Sequence, residues 1–171
     1  MKTIIIAVTG LMLSLTQTAN ARNANTIVNN YQLTTKTVAS GFTSLVVAGN
    51  VDIILVQGNT PQFSLEGYQN QLENITMKVV NNTLFVSTKK HIRGKNPVVY
   101  IPVNNLQYLT VEGNSNIATL GYLTSNVDIE LSSECKVSIK TSGRITISDK
   151  STRAYQVEKW VVAGKTEVEG V

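Results

Sequence analysis

His91 is the only histidine and Cys135 the only cysteine among the 171 residues. A metal centre built on several imidazoles or paired thiolates is therefore excluded, and neither an H-E-x-x-H run nor a paired-cysteine motif occurs. Cys135 with His91 as its base would make a nucleophilic pair. Cys135 lies in a run of small and polar residues, however, and reads better as a packing side chain. No G-x-S-x-G elbow is present. Asp128 and Glu130 stand two apart in a β-type run and so share one face, where they could bind calcium or serve as an acid/base pair. With Lys136 and Arg144 they form the one groove cluster that a polysaccharide-degrading enzyme could use. The plainer reading is a solvated face of mixed charge, and the Gly-Gly-x-Gly-x-Asp calcium repeat is absent. The residues thus predict a chain that is not an enzyme and uses no cofactor or metal.

Binding is a different matter. Lys89, Lys90, His91, Arg93 and Lys95 fall within seven residues, between two β-type runs, and predict an exposed basic loop. Such a loop can hold the phosphates or carboxylates of envelope polymers through charge-assisted bonds, or simply keep a connection solvated. Six tyrosines, Tyr31, Tyr68, Tyr100, Tyr108, Tyr122 and Tyr155, offer ring surfaces on which sugars stack, whereas Trp160 reads as packing for the end of the domain. No aromatics interleave the basic residues, and a net charge of +4 is too mild to argue for nucleic acid.

The elements that must position these residues are strands. Residues 1–21 read first as a secretory signal peptide: Lys2, an apolar run from Ile4 to Leu15, and an Ala19-Asn20-Ala21 site predicting cleavage after Ala21. An uncleaved membrane anchor is the alternative, but the run is short for a bilayer, and no later stretch could span one. Cleavage would leave a mature chain that folds without a disulfide or a lipid-bearing cysteine. Residues 22–40 are rich in Asn, Thr and Gln and predict a polar lead, either flexible or a first coil. From residue 41 onward, short alternating runs bounded by Gly, Asn or Ser predict an all-β domain to residue 171.

Four segments repeat an apolar residue, a small or polar corner, and another apolar residue. They start at Val111, Leu131, Ile147 and Val162, so the anchors are 20, 16 and 15 residues apart. Arg153 breaks the third. This spacing predicts one coil per repeat of a parallel β-solenoid, in which inward side chains stack into ladders at small-residue corners. A β-sandwich with evenly spaced hairpins is the alternative, although the chain holds no Asn-Gly turn.

Several runs carry a resemblance. Phe42-Thr-Ser-Leu-Val-Val-Ala-Gly49 followed by Val51-Asp-Ile-Ile-Leu-Val-Gln-Gly58, then Leu84-Phe-Val86, Val99-Tyr-Ile-Pro102 with Leu106, and Leu109-Thr-Val-Glu-Gly-Asn-Ser115 stand in family order. The chain from about Phe42 onward resembles the putative auto-transporter adhesin head GIN domain family, exported β-solenoid domains found mainly in bacteria. It departs where that family repeats Gly-Ser-Gly corners, having Gly113-Asn114-Ser115, Ser133-Glu134-Cys135 and Asp149-Lys150-Ser151 instead. The resemblance implies a noncatalytic domain of the periplasm, outer-membrane surface or exterior, and carries over no catalytic residue.

Taken together, these readings predict an exported β-solenoid presenting a rigid surface for adhesion, glycan contact or envelope scaffolding. Its partners would be envelope or host polysaccharide, or a surface protein, with oligomerisation left open. A polysaccharide-degrading β-helix and an end-to-end assembling structural protein are the alternatives. Glu167 and Glu169 would guard the C-terminal edge against uncontrolled stacking.

Overall fold

Leucine, isoleucine and valine at every second position give most of the strands one face for the interior and one for solvent. The computed structural model describes residues 30–38, 41–132, 135–150 and 166–168. In chain order the strands are β1 (Tyr31–Thr37), β2 (Ser44–Ala48), β3 (Asp52–Gln57), β4 (Gln62–Tyr68), β5 (Ile75–Val80), β6 (Thr83–Thr88) and β7 (Val98–Val103). There follow β8 (Tyr108–Val111), β9 (Asn116–Leu120), β10 (Val127–Leu131), β11 (Lys136–Ser138), β12 (Ile145–Asp149) and β13 (Thr166–Val168). One helical turn, α1 (Gln69–Leu72), follows β4.

The strands form two mixed sheets. One runs β1-β4-β7-β3-β9-β11 and the other β13-β12-β10-β8-β2-β6-β5. Pairing is parallel from β7 to β11 in the first and from β6 to β13 in the second, and antiparallel where β1, β4 and β5 join. The β2–β3 segment sits between β6 and β7 on one side and β8 and β9 on the other, so spatial order departs from chain order.

Inward side chains line up in rows across the parallel strands. Leu84, Leu45, Leu109, Ile129 and Ile147 form one row; Val86, Val47, Val111 and Leu131 form the next. Facing them from the first sheet is the row Val99, Ile53, Ile117 and Val137. Each fully buried aliphatic side chain of this kind stabilises the fold by about 1.5–3 kcal/mol. Where the two sheets share an end, the Lys36 ammonium of β1 donates to the Ile75 carbonyl of β5 at 3.5 Å, tying the edge of one sheet to the edge of the other.

The structure refines the sequence reading in three places. Within the polar lead over residues 22–40, Tyr31–Thr37 forms a strand that pairs along its full length with β4. The first two repeat anchors, Val111 and Leu131, are cross-strand partners as their spacing requires, but Leu131 stands opposite Asp149 and Ile147 opposite Ile129 and Val168. The later spacings are therefore 18 residues (131 to 149) and 21 (147 to 168), and the run Ile117 to Leu120 is a strand of its own. The tight β5–β6 turn is made by Asn81 and Asn82, both at positive φ, rather than by Asn-Gly. Residues 1–21, the run 155–158, Trp160, Arg153 and Val162 lie outside the described residues.

Candidate functional site

In β4 the alternation places Phe63, Leu65 and Gly67 inward and Ser64, Glu66 and Tyr68 outward. In β7 it buries Val99, Ile101 and Val103 and turns Tyr100 and Pro102 to the surface. The registers then set Tyr31 opposite Tyr68, Leu33 opposite Glu66, and Ser64 opposite Tyr100. Three strands distant in sequence thus gather three tyrosines around one carboxylate on the outer face of the six-stranded sheet.

The Tyr31 hydroxyl donates to Glu66 Oε1 at 2.7 Å, and the Tyr100 hydroxyl donates to Glu66 Oε2 at 3.0 Å. The Tyr31 and Tyr68 rings meet edge to face, with centroids 5.3 Å apart and planes at 83°. Tyr31, Gln32, Leu33, Ser64, Glu66 and Tyr100 line a groove of about 540 Å³. Tyr31 is 48% exposed and Leu33 68%, so ring and aliphatic surface face solvent beside the carboxylate.

Hydrogen bonding sets the protonation of the cluster. The phenols of Tyr31 and then Tyr100 hold the Glu66 carboxyl below its ordinary value, the Lys95 charge adding to them against the opposing effect of desolvation. Both tyrosines are pushed up in return, first by the bond to Glu66 and then by desolvation. The groove therefore presents an ionised carboxylate flanked by neutral phenols, an arrangement able to accept hydrogen bonds beside aromatic faces.

The basic loop lies between β6 and β7, where Lys89, Lys90, His91, Arg93 and Lys95 are exposed. Ile92 is buried and pins its centre, while Lys89 N donates to the Asn74 carbonyl at 3.0 Å and the Lys95 carbonyl accepts from Gln71 Nε2 at 3.1 Å. The backbone is held and the charged side chains project. Lys95 links this loop electrostatically to the tyrosine groove.

The proposed groove cluster is divided between the two sheets. Asp128 and Glu130 lie on β10 of the seven-stranded sheet, and Glu130 pairs with Lys150 at 2.8 Å. Lys136 is on β11 of the other sheet, and Arg144 precedes β12, its backbone N donating to Asn126 Oδ1 at 2.8 Å. Among the described residues no three His, Cys, Asp or Glu side chains group as a metal site would require. Tyr100 and Tyr108 fall in different sheets, and Tyr155 lies outside the described residues.

Glu66 and its pairing with Tyr31 escape a reading of the sequence. Tyr31 sits in the polar lead, 35 residues from Glu66, and only the β1–β4 register joins them. The outward alternation Ser64-x-Glu66-x-Tyr68 was the available signal, but it does not by itself identify a partner strand.

Similarity to known proteins follows the fold. A crystal structure of a "putative adhesin" from Bacteroides fragilis NCTC 9343 superposes with a TM-score of 0.54 at 22% identity, covering 83% of this chain and 78% of that one. Another, a "putative adhesin" from Parabacteroides distasonis ATCC 8503, gives 0.53 at 14% identity, covering 82% and 71%. No curated protein matches the sequence. No helix among the described residues is long and apolar enough to cross a membrane. The family model described as "putative auto-transporter adhesin, head GIN domain" matches residues 41–169, taking in every strand from β2 to β13, and the chain belongs to that family.

Proposed function

We propose that the protein is an exported, noncatalytic, adhesin-like domain that holds polysaccharide on the outer face of its six-stranded sheet. The observation that carries this reading is the exposed groove in which Tyr31 and Tyr100 clamp Glu66. Sugars are bound by ring faces that cover their C–H surfaces together with fixed polar groups that orient their hydroxyls, and this groove offers both. Family membership and the adhesin descriptions of similar structures support the class.

We read the architecture as a two-faced parallel β-solenoid. Stacked strand–corner–strand units with in-register apolar rows support it, and the antiparallel β1, β4 and β5 would close its first end. Residues 1–21 would direct export and be removed after Ala21, residues 22–40 would lead into the domain, and residues 41–171 would form it. Placement in the periplasm, on the outer-membrane surface or outside the cell accords with this. The basic loop would lend a second contact to anionic segments of the same polymers.

The test is retention of the purified protein on a panel of envelope and host polysaccharides, with released sugar measured in the same tubes. Saturable retention without sugar release, weakened about tenfold or more by Tyr31→Ala, supports the reading, a loss on the scale of a stacked aromatic contact. Sugar release abolished by Asp128→Asn replaces it with an enzyme, and absence of retention on every polymer overturns it.

A further inference from the structure

Resting on the sugar-binding reading above, we infer that the Glu66 groove selects a sugar unit that carries a protonated amine. A phenol has one hydrogen to donate, and both Tyr31 and Tyr100 spend theirs on Glu66. Their remaining lone pairs, and those of the carboxylate, can only accept. Among the described residues that line the groove, the remaining side-chain donors are the Ser64 hydroxyl and the Gln32 amide. A ligand rich in acceptors or negative charge would meet unmatched oxygens, whereas an ammonium supplies three donors and a charge opposite to that of Glu66.

The aromatic surroundings act in the same direction. Ring faces carry the negative end of the quadrupole, and a cation within about 6 Å of a ring centroid is attracted to it. Tyr31 is half exposed and braced edge-on by Tyr68, so its ring is held beside the carboxylate. The volume of about 540 Å³ accommodates a sugar unit with its neighbours. The Lys95 charge acts on Glu66 in the same direction and would repel a bound ammonium. The protein's net charge of +4 opposes cationic polymers in general, so attraction of an amino sugar must arise locally.

The experiment is calorimetric titration of the purified protein with oligomers of glucosamine and with N-acetylated oligomers of the same length, at mildly acidic pH. Acetylation keeps the ring and removes the charge. The expected result is binding about tenfold or more tighter for the free amine, a gain that Lys95→Ala enlarges and Glu66→Gln abolishes. Equal affinity for the two series, or tighter binding of the acetylated one, overturns the amine selectivity. Binding of neither series overturns it too, and the polysaccharide panel then shows whether the broader sugar reading survives. If Glu66→Gln fails to fold, the response to Lys95→Ala decides: unchanged or weakened amine binding overturns the inference.

Discussion

Gly113 packs directly against the backbone of Gly49, so that a Cβ added to Gly113 would fall within the van der Waals envelope of the Gly49 nitrogen, carbonyl carbon and oxygen. The contact joins the corner leaving β2 to the corner leaving β8. Ser115 reinforces it by donating to the Gly49 carbonyl at 2.9 Å, and Glu112 N donates to the Val47 carbonyl at 2.8 Å. Because the obstacle is backbone on both sides, Gly113→Ala can be accommodated only by prising the two corners apart. The expected cost is about 1–3 kcal/mol, as for overpacking of a filled interior. At this chain length each kcal/mol lowers Tm by about 2–4 °C. Gly58→Ala, which adds its methyl to open space, is expected to stay within about 0.5 kcal/mol of the parent. Equal melting of the two variants would show that the corner contact is dispensable.

The hairpin between β5 and β6 makes a second prediction about backbone conformation. Asn81 and Asn82 sit at φ 49° and 60°, between the paired residues Val80 and Thr83. Two consecutive left-handed residues match the twist of the flanking strands. The Asn82 carbonyl also accepts from Thr43 N at 2.9 Å and Ser44 N at 3.2 Å, so the turn positions the start of β2 as well. Asn82→Gly keeps that carbonyl and removes the side-chain strain, and its Tm should equal or exceed the parent's. Asn82→Val should lose about 1–2 kcal/mol, the cost of replacing an asparagine, whose short polar side chain tolerates the left-handed region, with a β-branched side chain. A valine variant as stable as the glycine one would contradict the conformational argument.

The period of the strands decides how much of the fold is legible in the sequence. Most strand positions, and the partnership of Val111 with Leu131, are legible because inward residues recur at every second place. A slip of two residues leaves the same face inward, which is why Ile147 served as an anchor equally well on paper while its true partner is Ile129. Strand β1 was hidden because its residues are polar on both faces: Leu33 is 68% exposed, and the strand is defined by pairing with β4 rather than by burial. The insertion of β2 between β6 and β8 leaves no local trace, since all three are equally apolar inside. For the site, the basic loop is a local cluster and could be read directly. The Tyr31–Glu66–Tyr100 clamp depends on long-range register and could not.

That clamp makes stability depend on pH in two directions. Glu66 is held below the ordinary carboxylate value of 4.5, first by the Tyr31 phenol. A lowered carboxylate contributes stability that is present above 4.5 and is lost as pH falls through its lower folded value. Tyr31 and Tyr100 are raised above 10.0, chiefly by the bond to Glu66; their contribution is present below 10.0 and is lost as pH rises through their higher folded values. The difference in Tm between the parent and Glu66→Gln should therefore be greatest across the neutral range and shrink at both extremes. A difference independent of pH would show that the carboxylate charge plays no part.

The basic loop separates charge from packing within a single turn of chain. Lys89, Lys90, Arg93 and Lys95 are exposed, whereas Ile92 between them is 6% exposed. Replacing the four cations with glutamine should leave Tm nearly unchanged, because isolated surface charges contribute little to folding. The same variant should elute from an immobilised anionic polysaccharide at lower salt than the parent. The two should converge as ionic strength rises and the screening length falls to a few ångströms at about 1 M. Ile92→Ala should do the reverse, losing about 2–5 kcal/mol of stability as a truncated buried aliphatic while keeping every charge. If it also kept its elution salt after partial melting of the loop, charge number alone would govern retention. If it eluted early while still folded, the geometry imposed by the Ile92 anchor would be what aligns the cations on the polymer.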